Sequence, residues 1–263
     1  MSAAVLVRSL ADQRRSLIGW GIGVVVVVAV MSALWPSVRD MMTPELLASY
    51  PEAMRDLFDV EAMDTGAGYL NGELFSIILP GLFIAFAVGR GARTLAGEER
   101  DGTLEMVVVT PVSRSAVVVA KTVAIVLGTV VLGVVLALSI LICSALFGLG
   151  IGPADALVGS LSMVVLGIAF GVGAVTVGAV VPSRPAAVAI PAAVAVAAYV
   201  LHVLGALVPA VEPWRPLSPF TMAIVNGPVG GSVPVGVGVL ALGAVVLGVA
   251  AVVSFARRDI TSP

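Results

Sequence analysis

The sequence has one cysteine, one histidine and very little charge, and each scarcity excludes something. Cys143 alone cannot close an internal disulfide or build a cysteine metal cluster, and its apolar surroundings suit a small buried hydrophobe. His202 has no acid near it in sequence, so with Cys143 it makes no convincing metal site and reads first as an interhelical hydrogen-bond donor. No catalytic, cofactor-binding or metal-ligating residue emerges. Charged residues make up 11% of the 263, where a soluble domain carries about a quarter. Their balance, 14 basic against 16 acidic, gives no global attraction to nucleic acid. A phosphate loop of the form Gly-x-x-x-x-Gly-Lys-Ser/Thr is missing too, so the chain has no such nucleotide site of its own.

Apolar residues take up the rest: 59% are hydrophobic, and the mean hydropathy is +1.13. A helix needs about 20 apolar residues to cross the hydrocarbon of a bilayer. Runs of that kind predict six spans, at about 17–35, 70–90, 117–147, 156–181, 186–208 and 233–255. Valine-rich stretches such as Val24–Val28 are apolar on every face, whereas barrel strands alternate in polarity, so the spans are helical. The expected fold class is an all-α integral membrane protein, with residues 1–263 forming a single transmembrane domain. The first apolar stretch runs into Trp35-Pro36 without a small-x-small cleavage site, which fits a retained span rather than a signal peptide. In the fourth span Gly167-x-x-x-Gly171 forms a small-residue strip suited to close packing inside the bundle. Lys121, about two turns into the third, reads as an anchor reaching for the interface.

Basic residues set an expected orientation. With a cytoplasmic N-terminus, inside segments carry 11 of them (Arg8, Arg14, Arg15, Arg90, Arg93, Arg100, Arg114, Lys121, Arg184, Arg257 and Arg258) and outside segments 3 (Arg39, Arg55 and Arg215). That bias follows the positive-inside rule and puts both termini in the cytoplasm. The loop 36–73 is then extracytoplasmic, with eight acids against two arginines. Within it, residues 44–58 fit either an amphipathic helix lying on the outer interface or a solvated acidic loop. The proline- and glycine-broken segment 212–234, with Pro216, Ser218, Pro219 and Phe220 at its centre, fits either a re-entrant outer gate or an ordinary external loop.

The densest charge lies between the second and third spans, where Arg90 to Lys121 holds nine ionised residues. The loop 91–116 is long for a connector in a helical bundle. Thr94–Glu99 can continue the second helix, Asp101-Gly102 breaks it, and Thr103 can cap a short helix over Leu104–Val109 that Pro111 stops. Ser113 is placed to cap the third span. Such a helix, flanked by Glu98, Glu99, Arg100, Glu105 and Arg114, can dock on a soluble partner and pass rigid-body motion to the spans; the bland reading is a solvated hairpin with local ion pairs.

At these residues a resemblance becomes specific. Glu98-x-x-x-Gly102-Thr103-Leu104-Glu105, then Thr110-Pro111-Val112-Ser113-Arg114 and Lys121, resembles the signature loop of type-2 ATP-binding-cassette (ABC) permeases. Asn71-Gly72-Glu73-Leu74-Phe75 before the second span and Leu217-Ser218-Pro219-Phe220 before the last are similar to that family too. Met106-Val107-Val108-Val109 stands where the family often has leucines. The resemblance implies a six-span exporter subunit that pairs with a second copy or a similar permease in the cell membrane. It implies that a separate ABC ATPase subunit binds the ATP, and that Glu98, Glu99, Arg100, Gly102, Thr103, Leu104, Glu105, Pro111 and Arg114 form the short cytoplasmic coupling helix and its flanks. Apolar spans suit a hydrophobic or amphipathic cargo. The alternative is a non-transporting membrane scaffold or immunity-type protein that binds a cytosolic partner through the same loop. The weight of Val, Ala and Gly points to a high-GC bacterial source.

Overall fold

The structure is a computed structural model that describes residues 2–41, 64–97, 113–181 and 183–257. Its described residues form helices and turns without a strand, and six helices are long and apolar enough to cross a membrane. Span 1 lies within Ser2–Met41, and span 2 is Ile78–Ala92, prolonged by a π-helical turn over Arg93–Gly97. Span 3 is Arg114–Phe147, span 4 Pro153–Val180, span 5 Arg184–Leu207 and span 6 Val235–Arg257. The stretch 44–58 lies outside the described residues.

Span 4 is the hub, packing on spans 2, 3, 5 and 6, while span 1 lies along span 3. Spans 5 and 6 both lean on span 4 but barely touch each other. The seam between spans 2 and 4 is set by the glycine strip. A Cβ on Gly167 would press on the Phe83 carbonyl, one on Gly171 would meet the Ala87 methyl, and one on Gly91 would run into the Gly171 carbonyl oxygen. Backbones approach this closely only where side chains are absent. The strip therefore serves intramolecular packing, as its sequence suggested. The outward face of span 1, with Ile18, Ile22, Val25, Val26 and Val30 exposed, is as apolar as its buried face, the pattern of a helix bathed in lipid.

Gln13 near the start of span 1 donates from Nε2 to the Ala124 carbonyl of span 3 at 2.9 Å. Phe255, near the end of span 6, packs with Leu95, Val118 and Val175. Spans 1, 2, 3, 4 and 6 thus share one end, which carries both described termini and is called the terminal end below. At the opposite, far end Gly148 takes φ 68° to stop span 3, and the Ser144 hydroxyl donates to the Ile151 carbonyl at 3.1 Å and accepts from the Ile151 amide at 2.9 Å. Pro153 then opens span 4, with the Asp155 carboxylate accepting from the Gly152 amide at 3.3 Å.

Candidate functional site

Glu98, Glu99, Arg100, Gly102, Thr103, Leu104, Glu105 and Pro111 lie outside the described residues, so only the two flanks of the charged loop are on view. On the first, the Thr94 hydroxyl donates to the Gly91 carbonyl at 2.6 Å. On the second, Ser113 caps span 3 by accepting from the Ala116 amide at 3.3 Å, and Arg114 follows it half-buried. Lys121 joins the flanks: its Nζ donates to the Thr94 carbonyl at 3.2 Å, and the residue is 2% exposed. Its ammonium reaches along span 3 to the turn that follows span 2, where an end-of-helix carbonyl accepts from it. The two helices that bracket the loop are therefore tied directly to each other.

The far end carries a second construction. Pro216 lies on a 3₁₀ turn over Glu212–Leu217, and a short helix, Pro219–Ile224, follows. Ser218 between them is fully buried; its hydroxyl donates to the Ala198 carbonyl of span 5 at 2.7 Å and accepts from the Phe220 amide at 3.2 Å. Phe220 is buried against Tyr199 and Phe170, with ring centroids 5.2 and 6.5 Å away. His202 Nδ1 and Thr221 Oγ1 share a hydrogen bond of 2.8 Å. Among the described residues no group of three or more His, Cys, Asp and Glu side chains could hold a metal. The short helix is thus bolted to span 5 through Ser218, Phe220 and Thr221, and Pro216 stays exposed beside it. Ser218→Ala removes both a cap and the bond to Ala198, so it is expected to cost about 1–2 kcal/mol and to lower the midpoint of thermal unfolding in detergent. An unchanged midpoint contradicts the bolt.

Beyond the helix the chain turns through Asn226, Gly227 and Gly230 at φ 61°, 68° and 88°. This strap is held from across the bundle. Asn71 donates from Nδ2 to the Val229 carbonyl at 2.8 Å and accepts on Oδ1 from the Val229 amide at 3.1 Å. Asn71 opens a π-helical turn, Asn71–Phe75, that follows Gly66–Leu70. Nearby, the Tyr69 hydroxyl donates to the Met31 carbonyl at 3.1 Å, and burial, with the Glu73 carboxylate adding, holds that phenol above its ordinary range and keeps it a donor. The motif at 71–75 thus holds, through Asn71, the strap that follows the motif at 217–220, a contact that neither motif announces.

Between these constructions lies an apolar cavity of about 470 Å³, backed by span 4 and walled by spans 5 and 6. Met222 of the short helix roofs it toward the far end, where Gly236 lets that helix sit against the start of span 6. Because spans 5 and 6 barely meet, the cavity opens sideways between them. Sequence reasoning missed it: helices that are apolar all round show no periodicity to say which face turns inward.

Residues 7–256 match the family described as the C-terminal domain of the multidrug efflux system permease Rv1217c. The chain belongs to this family. It is accordingly a multi-pass membrane permease of an efflux system. A comparison with curated proteins gave no match.

Proposed function

We propose that this permease is the membrane subunit of an ATP-driven exporter of the type-2 ABC kind, moving a hydrophobic or amphipathic substrate out of the cell. The observation that carries this reading is the match to a multidrug efflux permease family over 7–256, in a chain that has no phosphate loop of its own. A separate ABC ATPase subunit supplies the ATP site. The terminal end is the cytoplasmic one, on the 11-to-3 distribution of basic residues. The family's description as a domain of a permease supports treating this six-span bundle as one part of a larger transporter, paired with a second copy or a similar subunit.

The coupling segment runs from Glu98 to Arg114, and the signature-like residues Glu98, Gly102, Thr103, Glu105, Pro111 and Arg114 carry that assignment. The contact between Lys121 and Thr94 gives the segment a route into the bundle. A push on the loop moves the ends of spans 2 and 3 as one body, and span 2 hands the motion to span 4 along its glycine seam. The 212–234 segment then serves as the outer gate, with Pro216, Ser218, Pro219 and Phe220 at its hinge on span 5.

Purifying the tagged chain from native membranes in mild detergent tests the assignment. An ABC ATPase is expected at about equal stoichiometry, and Glu98→Ala and Arg114→Ala are each expected to weaken its retention about tenfold without changing the amount of inserted permease. Retention equal to wild type in either variant removes that residue from the coupling site. A well-folded permease that retains no ATPase favours a scaffold role instead.

A further inference from the structure

We infer that the cavity between spans 4, 5 and 6 is a binding site for one uncharged, largely apolar small molecule, which enters it sideways from the bilayer. The inference rests on the export reading above and adds to it the place and chemistry of the cargo.

Size is the first argument. A cavity of about 470 Å³ falls within the range of sites for drug-sized ligands, roughly 300–1,000 Å³. A helix of a neighbouring subunit, about 10 Å across, does not fit a chamber roofed at one end by Met222 and closed behind by span 4.

Chemistry is the second. None of the described residues that line the cavity is charged, and an ion brought there would lose its hydration with nothing to replace it. Thr176 is the one polar side chain among them. Its hydroxyl hydrogen is engaged by the Val172 and Leu247 carbonyls, at 2.9 and 3.0 Å, which leaves the oxygen to act only as an acceptor. The ligand therefore brings an apolar body and at most one hydroxyl or amide donor. Phe170 and Met222 supply an aromatic face and a polarisable thioether, contacts that tolerate varied apolar shapes.

Vacant positions in the wall are the third. Gly173 of span 4 and Gly243 of span 6 both line the cavity, and a Cβ on either would meet nothing within 4 Å. Neither glycine is required by packing, unlike Gly91 and Gly171 on the seam. Both stand inside helices, where glycine is less favourable than alanine. What they leave is room.

The probe is 4-benzoylbenzyl alcohol, an uncharged two-ring photoreactive ketone with a single hydroxyl, applied to the full-length permease in phospholipid nanodiscs. Illumination followed by peptide mass spectrometry is expected to show saturable attachment within 169–177 and 239–247. Gly173→Leu and Gly243→Leu, which fill the vacant space, are each expected to lower attachment at least tenfold at a sub-saturating dose. Gly238→Leu, also in open space on span 6 but off the cavity, is expected to leave it unchanged. Thermal unfolding of each variant confirms folding, and Thr176→Val serves as a further variant, expected to weaken the probe relative to its analogue lacking the hydroxyl.

Non-saturable attachment would mean an acyl-chain groove and overturns the inference. So does saturable attachment elsewhere, or equal attachment in folded Gly173→Leu and Gly243→Leu proteins. A cavity covered by a second copy would show no attachment in the assembled state, together with dissociation of Gly243→Leu, and that result overturns it too. Dye export from cells separates the two readings. Export that persists in variants unable to bind the probe defeats the site alone, whereas binding without any export defeats the transport reading and leaves the site standing.

Discussion

Gly91→Val is expected to unfold the bundle from the terminal end of its span 2–span 4 seam. A Cβ at this position would overlap the Gly171 carbonyl oxygen and lie 2.9 Å from the Ala174 Cβ. The obstacle is helix backbone, which cannot rotate away as a side chain does. Relief requires spans 2 and 4 to separate, and separation strips contacts from Phe83 and Ala87 along the same seam. Overpacking of a core costs about 1–3 kcal/mol, and a collision with backbone belongs at or above the top of that range. Detergent-solubilised Gly91→Val is expected to elute as aggregate on size-exclusion chromatography. Gly89→Val, two residues away with nothing within 4 Å of its Cβ, is expected to elute as a single symmetric peak. Equal elution and equal thermal stability of the two variants would remove the seam from the account.

Asn71→Leu is expected to release the strap at the far end while sparing the rest of the fold. Leucine occupies a similar volume but neither accepts from the Val229 amide nor donates to its carbonyl. Val229 is 3% exposed, so water does not easily replace the lost partner. Two buried backbone groups left unpaired cost roughly 2–4 kcal/mol together. The strap turns through left-handed backbone at Asn226, Gly227 and Gly230 on either side of the lost bonds. Deuterium uptake at 226–231 is expected to rise at least tenfold, with the 144–155 hairpin unchanged because Ser144 and Asp155 hold it independently. Asn71→Asp, which keeps the acceptor and loses the donor, is expected to fall between. Uptake at wild-type level in Asn71→Leu would mean that the strap is held by packing alone.

Much of the architecture is legible in run lengths, because the bilayer demands long apolar runs and the chain offers six candidates. What run length hides is how helices continue past the bilayer. The first helix begins ahead of Arg8, Asp12, Arg14 and Arg15, since arginine is a good helix former and charge ends an apolar run without ending a helix. The second apolar run is short, and the chain extends it with π-helical turns on both sides, which no apolar period signals. Lys121 illustrates a different limit. A lysine near a span end reaches for the interface, and nothing in the sequence says that its ammonium meets the Thr94 carbonyl just past span 2.

Pairings between distant residues were the least legible. Asn71 and Val229 stand 158 positions apart, and nothing local to either says that they meet. The prolines and glycines of 212–234 do announce turns, and the structure adds that they lead into a short helix fastened to span 5. The cavity left no trace in sequence, for Gly173 and Gly243 look like any other glycines in a small-residue-rich bundle. The charged loop is the reverse case. Its residues carry the strongest resemblance in the chain, because a motif of fixed spacing is legible without any fold around it.

We propose that this permease drives export with ATP hydrolysed by a partner. Inverted membrane vesicles, prepared with and without the chain and loaded externally with an uncharged fluorescent dye, test it most directly. The account predicts dye uptake that needs both this chain and ATP, persists when the proton gradient is collapsed, and fails in Glu98→Ala vesicles. Uptake that follows the proton gradient and ignores ATP would contradict it.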